Sequence, residues 1–385
     1  MSSRLDFSDI HSEIFQSVHG WAQKNLAPGA AERDRNATFD PILYQKLDTD
    51  LGIMNITLPE SLNGAGLDIA ATIHAIEALS TADPGIAISY LSQELLFTHQ
   101  LYWTWKSDNA EMPQEHADIL KKKPISGMAM TEPEAGTDVL GMKTRADITE
   151  NGFTLHGVKQ WITNGTIGEY FLVYARTGDD RRDISLFLVN AHTPGLTRRT
   201  CDDKMGMRSS PTGILTFQNC QIPKWALVGS LHQGLKPMIR NLAVERLGLA
   251  AQSCGIASAC LDIMKTYAAQ RQAFGKSIAQ FGQIQSYIAN SYATLHAMRA
   301  FLYETVWKLL ENAPDASLTA DAVKLFCAKS AEDISRHAIQ ILGANGYSSA
   351  YPVERLHRDA ILLSIGGGTN EALEKNITKL LTRHS

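Results

Sequence analysis

One carboxylate in this sequence sits where a carboxylate is costly. At helical spacing, the neighbours of Glu245 are Asn241, Leu242, Gly248 and Leu249, so the face it occupies is largely apolar. A carboxyl group there is either paired, with Arg246 beside it, or held in a cavity with a raised pKa, able to take a proton. Gly248, one turn on, removes a side chain and is expected to leave room for a ligand.

Five other segments carry groups with a chemical use. Ile365-Gly366-Gly367-Gly368-Thr369-Asn370-Glu371 places three glycines ahead of a helical run. Three in a row add backbone entropy to lose, while bare N–H groups beside a helix N-terminus suit a developing oxyanion. Met130-Thr131-Glu132-Pro133-Glu134-Ala135-Gly136-Thr137-Asp138 offers free backbone N–H groups and hydroxyls to an anion or a heteroaromatic edge. Trp161-Ile162-Thr163-Asn164-Gly165 sets an aromatic plate beside a hydroxyl. Arg271-Gln272-Ala273-Phe274-Gly275-Lys276 has the cations for a pyrophosphate clamp. Gln340-Ile341-Leu342-Gly343-Ala344-Asn345-Gly346-Tyr347 ends an apolar run with glycines that admit a close ligand. The last four each have a plainer reading: a polar turn, core packing, cations on a helix dipole, a helix C-cap.

The elements that position these segments follow from hydrophobic period. From about residue 5 to 122, apolar residues recur at three and four, as in Leu43, Leu47 and Leu51. From about 124 to 228 the period is two. Asn151-Gly152 lies between two alternating runs, a hairpin signal, and Gly178-Asp179-Asp180-Arg181-Arg182 reads as a second tip. After Pro237 the helical period returns in long stretches with few breakers. The expectation is an α+β chain of three domains: an N-terminal helical domain (1–122), a middle antiparallel β-barrel-like domain (123–230) and a C-terminal four-helix bundle (231–385). No βαβ alternation and no Gly-x-Gly-x-x-Gly after a strand occurs, which argues against a Rossmann site.

Composition bounds the rest. The 385 residues are 44% hydrophobic and 20% charged, the balance of a folded protein. A formal net charge of −4 argues against a nucleic-acid partner. The five cysteines have no metal-ligand spacing and read as thiols of a reducing compartment. Residues 1–15 lack a secretory apolar region and no uninterrupted apolar run reaches 18 residues, so no membrane span and a cytoplasmic location are expected.

Taken together, the segments resemble the acyl-CoA dehydrogenase family over nearly the whole chain. Thr-Glu-Pro-x-Ala-Gly-Thr-Asp, Trp-Ile-Thr-Asn-Gly, Arg-x-x-Phe-Gly-Lys, Gln-Ile-Leu-Gly-x-Asn-Gly-Tyr and Tyr351-Pro352-Val353-Glu354-Arg355 with Arg358-Asp359-Ala360 occur in that family's order. The resemblance implies noncovalent FAD, a homotetramer built as a dimer of dimers, and an electron-transfer flavoprotein as acceptor. It puts Met130, Thr131, Thr137, Trp161 and Thr163 along the flavin, with Thr369 and Glu371 near it. Arg271, Phe274, Gln340 and Gly343 would reach the pyrophosphate and adenine half of an FAD in the neighbouring subunit. It further implies that a carboxylate removes the α-proton of an acyl-CoA while the β-hydrogen leaves as hydride, giving the trans-2-enoyl-CoA, with Gly367 N–H as the oxyanion donor. Many members carry the catalytic Glu at the position of Gly367; the isovaleryl-CoA and long-chain types carry it in a Glu-Arg-Leu context on the long helix, which Glu245-Arg246-Leu247 matches. Thr137, Arg246, Leu95, Leu96 and Gly366 are expected around the substrate, with Gln93 and Glu94 as further candidates for the pocket floor. A short branched acyl chain is favoured. The alternatives are a long-chain substrate, an oxidase of the same fold, and a carrier-protein thioester.

Overall fold

The computed structural model describes residues 9–201 and 203–382; the first eight residues, part of the N-terminal stretch read above, lie outside them. The chain opens with α1 (Asp9–Asn25), α2 (Ala30–Asn36), α3 (Pro41–Thr49), α4 (Ile69–Ser80) and α5 (Pro84–Leu91). A π-helical stretch, Ser92–His99, continues α5 into α6 (Gln100–Ser107), and α7 (Gln114–Lys121) follows. Starts are set by side chains: Asp40, Asp68 and Asp83 accept first-turn amides of α3, α4 and α5, and Pro41 and Pro84 begin their helices where no N–H is needed.

The middle of the chain holds β1 (Ser126–Ala129), β2 (Arg145–Thr149), β3 (Gly152–Thr163), β4 (Tyr170–Arg176), β5 (Ile184–Asn190), β6 (Leu196–Thr200), β7 (Thr212–Pro223) and β8 (Leu227–Val228). Among the described residues these form one sheet in the order β6-β7-β3-β2-β4-β5-β8, with β1 on β4. Both hairpins expected from the sequence are present, β2–β3 closing at Thr149↔Gly152 and β4–β5 at Arg176↔Ile184. The expectation of a purely antiparallel sheet needs correction. β1 pairs β4 in parallel, because the intervening β2–β3 hairpin supplies the crossover a parallel pair requires. β4 is buried on both faces: Phe171, Val173 and Ala175 face the sheet's own core, while Leu172 and Tyr174 join Phe97, Leu101 and Ile119 beneath the helices.

The C-terminal part is built on α8 (Leu235–Gln270), a 36-residue helix. A small hairpin, β9 (Gln272–Ala273) and β10 (Lys276–Ser277), turns the chain into α9 (Gly282–Leu310), α10 (Ala316–Leu342), α11 (Val353–Leu363) and α12 (Asn370–Leu381). By length and composition α8 is apolar enough to cross a bilayer, yet 78% of its most apolar window is buried among other helices. It packs against α4, α9 and α10. The α4 crossing is close because Gly255 has no side chain: a Cβ there would lie 2.4 Å from the Glu77 carbonyl oxygen. The helices before and after the sheet therefore share one apolar core, with Leu79, Ile86 and Leu91 against Leu247, Ala251 and Cys254.

Candidate active site

Glu245 lies on the part of α8 that faces the glycine loop between α11 and α12. Gly367 has φ +64°, a left-handed conformation that glycine adopts freely. A Cβ built on it would fall 3.8 Å from the Glu245 carboxyl carbon and 2.6 Å from Leu249 Cδ1. The helix thus delivers a carboxyl group to the space that a side chain at 367 would enter. Burial raises the pKa of Glu245; Arg246 and Lys324 pull it back, and no hydrogen bond contributes. A partly buried carboxylate with no hydrogen-bond partner among the described residues, held beside Gly367, is equipped to accept a proton.

Two cations hold the loop. Arg246 Nε donates to the Gly367 carbonyl at 3.1 Å while its Nη1 pairs with Asp321. Lys324, from α10, donates to the Gly368 carbonyl at 2.8 Å. Asn370 Nδ2 donates to the Ser364 hydroxyl at 3.0 Å, and the Thr369 hydroxyl caps α12 by accepting the Ala372 amide at 3.3 Å. The contacts of Arg246 are therefore with the loop and with Asp321, through a buried side chain. Glu371 is exposed on the first turn of α12, held below the usual carboxylate range by its own amide and the Thr369 hydroxyl. Gly366 is less confined, since a Cβ there would meet only the Leu362 carbonyl at 3.6 Å and Leu249 Cδ1 at 3.9 Å.

The space expected at Gly248 is not open. A Cβ there would meet Leu91 Cδ1 and Leu95 Cδ1, each at 2.8 Å, so the missing side chain serves helix packing. Leu95 and Leu96 lie in the core contributed by the π-helical stretch. Its neighbours Gln93 and Glu94 are buried too. Gln93 accepts from the Tyr44 hydroxyl at 3.1 Å, and burial pushes the Glu94 carboxyl up to about 8.

The second cluster forms where β1 and β3 end. β3 pairs with β7 through an irregularity between Lys159 and Ile162, and there Trp161 takes φ +61° and turns its ring outward, 52% exposed. The core-packing reading of this tryptophan is therefore incorrect. Residues 130 and 131 are tied to the same strand: the Gln160 amide donates to the Thr131 carbonyl, and Lys159 Nζ donates to the Met130 carbonyl, both at 2.9 Å. Lys159 is fully buried and also bonds Glu132 at 2.8 Å; burial lowers its ammonium to about 8 against the pull of Glu132. Thr163 is partly buried at the end of β3, and Thr137 is exposed on the loop. Gly127 in β1 lies against the Thr163 carbonyl, and Asn241 of α8 reaches Met128 Sδ at 3.9 Å, so this cluster and the Glu245 face of α8 adjoin the same strand.

Beside the buried Lys159–Glu132 pair the cluster offers neutral groups: backbone, three threonine hydroxyls and an exposed indole. It fits a flat heteroaromatic ring with several hydrogen-bonding edges. It offers little to a metal, and no group of three or more His, Cys, Asp or Glu able to hold one occurs among the described residues.

Arg271, Phe274, Gln340 and Gly343 lie elsewhere, near the C-terminal ends of α8 and α10, which Asn345 Nδ2 links by donating to the Tyr267 hydroxyl at 2.9 Å. Arg271 follows α8, Phe274 is 95% exposed at the tip of the small hairpin, Gln340 is exposed on the last turn of α10, and Gly343 ends it. Glu245 is in the N-terminal third of α8 and Arg271 directly follows its last residue, about 39 Å apart at 1.5 Å per residue.

Lys159 and Lys324 were not among the residues singled out from the sequence, although the signal existed. Lys159 has the inward parity of Phe153 and Leu155 on β3. Lys324 has Ala320, Asp321, Cys327 and Ala328 as helical neighbours, a mostly apolar face with one acid.

Comparison with known proteins bears on the whole chain. The N-terminal, middle and C-terminal domain models of the acyl-CoA dehydrogenase family match residues 8–111, 127–220 and 232–382. The chain is 35% identical over 388 residues to a mitochondrial 2-methylacyl-CoA dehydrogenase of Solanum tuberosum, covering 100% of this chain and 93% of that protein. It is 35% identical to a mitochondrial isovaleryl-CoA dehydrogenase of Oryza sativa subsp. japonica, covering 96% and 90%. The solved butyryl-CoA dehydrogenase of Megasphaera elsdenii superposes with a TM-score of 0.93 at 32% identity, covering 98% of this chain and 99% of that one.

Proposed function

The chain belongs to the acyl-CoA dehydrogenase family, and from that premise we propose that it desaturates an acyl-CoA between its α- and β-carbons with Glu245 as the base. The observation that carries this reading is the approach of the Glu245 carboxyl to Gly367. With a thioester oxygen on the Gly367 N–H, polarisation of the carbonyl acidifies the α-carbon, and the carboxylate next to that amide takes the proton. The raised pKa of Glu245 makes it a stronger base than an exposed carboxylate. FAD, the cofactor of this family, supplies when bound the acceptor for the β-hydrogen, which leaves with its electron pair as the double bond forms. Met130, Thr131, Thr137, Trp161 and Thr163 are the residues that would hold its ring, and Thr369 and Glu371 would adjoin it.

The far cluster supports a second expectation. Arg271 and Phe274 follow the C-terminus of α8, and Gln340 and Gly343 close α10, well away from the base. If they hold the other half of an FAD, that FAD belongs to a second copy of the chain, as in a homotetramer assembled from dimers. Reoxidation would fall to an electron-transfer flavoprotein.

The substrate we favour is a short branched acyl-CoA of the isovaleryl type, with Leu95, Leu96 and Gly366 nearest its acyl chain and Thr137 and Arg246 nearby. Two relatives named for branched substrates and a base carried on α8 favour it. The test is anaerobic titration of the purified yellow protein with isovaleryl-, butyryl- and palmitoyl-CoA. Strongest bleaching of the flavin by isovaleryl-CoA is expected. Preference for palmitoyl-CoA would move the assignment to long chains, and rapid peroxide formation in air would indicate an oxidase.

A further inference from the structure

Resting on the proposed reaction, we infer that Lys324 is a positioning residue: its ammonium fixes the Gly367–Gly368 segment and contributes positive charge to the site where the thioester oxygen becomes anionic. Lys324 is fully buried, with Nζ 2.8 Å from the Gly368 carbonyl and 3.4 Å from Asn370 Oδ1. Arg246 holds the neighbouring Gly367 carbonyl at 3.1 Å. With both carbonyls fixed, the two left-handed glycines between them cannot rotate freely, and the Gly367 N–H keeps one direction.

The charge itself points to function. A neutral donor would satisfy the Gly368 carbonyl at smaller desolvation cost, and a buried cation is normally paired. The nearby carboxylates have other engagements. Asp321, on α10, pairs with Arg246, and Glu332, also on α10, accepts from the Ser364 hydroxyl. Glu371 on α12 is exposed, and Glu245 on α8 faces Gly367. Lys324 makes no ion pair within 4.0 Å among the described residues.

The same surroundings give it a working pH limit. Burial lowers the Lys324 ammonium to about 8; Arg246 adds to the lowering, and Glu245, Glu371 and Glu332 oppose it. Below that pH the charge is present, and above it the charge is lost. Turnover should therefore decline on the alkaline side.

The experiment measures the rate of flavin reduction by acyl-CoA from pH 6 to 10 in the wild type, Lys324→Arg and Lys324→Met, with hydrogen exchange of residues 364–370 in the flavin-free proteins. Lys324→Met should lose about 10²-fold in rate with substrate affinity little changed, and its loop should exchange faster. Lys324→Arg should abolish the alkaline decline, because guanidinium stays charged throughout. An alkaline decline unchanged in Lys324→Arg, or a wild-type rate in Lys324→Met, overturns the inference. Wild-type protein that no acyl-CoA bleaches overturns the proposed reaction instead, while exchange still reports whether Lys324 holds the loop.

Discussion

The Glu245 carboxyl carbon and the point where Gly367 would carry a Cβ are 3.8 Å apart, although the residues come from different elements. One is on the longest helix, the other on a loop three helices later. A carboxylate rooted at either residue would enter the same volume. That explains why a glycine loop without a carboxylate is compatible with the chemistry proposed here, and it makes the neighbourhood of Gly367 sensitive to single atoms.

Gly367→Ala should therefore be damaging. The new methyl would meet Leu249 Cδ1 at 2.6 Å in a left-handed conformation that itself costs about 1–2 kcal/mol for a non-glycine residue. A lower Tm and a large fall in flavin reduction by substrate are expected. Gly366→Ala, whose Cβ meets ordinary contacts of 3.6–3.9 Å, should change stability by no more than about 0.5 kcal/mol. Equal Tm losses in the two variants would contradict this geometry.

Trp161→Ala should separate cofactor affinity from folding. The ring is 52% exposed, so the flavin-free protein should keep its Tm within a few degrees. Loss of a stacking aromatic surface should weaken flavin retention about tenfold, an effect of order 1 kcal/mol. Fluorescence titration of the stripped protein with FAD measures it. Undiminished affinity would remove Trp161 from the flavin site.

Asp359 predicts a pH-dependent stability. It is buried in α11, accepts the Met207 amide from the β6–β7 connection, and has its pKa raised to about 7 by burial, with Arg355 and that amide opposing. Its native pKa lies above the model-peptide 3.8, so the native state binds more protons across that interval. The stabilisation is complete below about 4 and is lost as pH rises through about 7. Tm should fall between about pH 4 and 7, and Asp359→Asn should flatten the fall. An identical pH slope in the variant would show that other groups set it.

The division into helices, sheet and helices was legible because period survives in a single sequence. Leu43, Leu47 and Leu51 share a helical stripe, while Phe153 and Leu155 alternating with Thr154 and His156 mark β3 as a strand. Parallel pairing of β1 was not legible, since nothing local in Ser126–Ala129 names its partner. Glu245 was legible as a misplaced charge. The filling of Gly248 was not, because Leu91 of α5 and Leu95 of the π-helical stretch reach it from more than 150 residues earlier in the chain. Trp161 shows the same limit: only the bulge at its own position decides whether the ring faces core or solvent.

The central claim is that Glu245 takes the α-proton, and its most direct test is Glu245→Gln mixed anaerobically with isovaleryl-CoA. The substitution keeps size and shape while removing the base, and a positioned general base is worth about 10²–10⁴-fold in rate. The variant should fold, bind FAD in full and take up acyl-CoA, yet leave the flavin yellow over times in which the wild type bleaches. Bleaching at the wild-type rate would contradict the account.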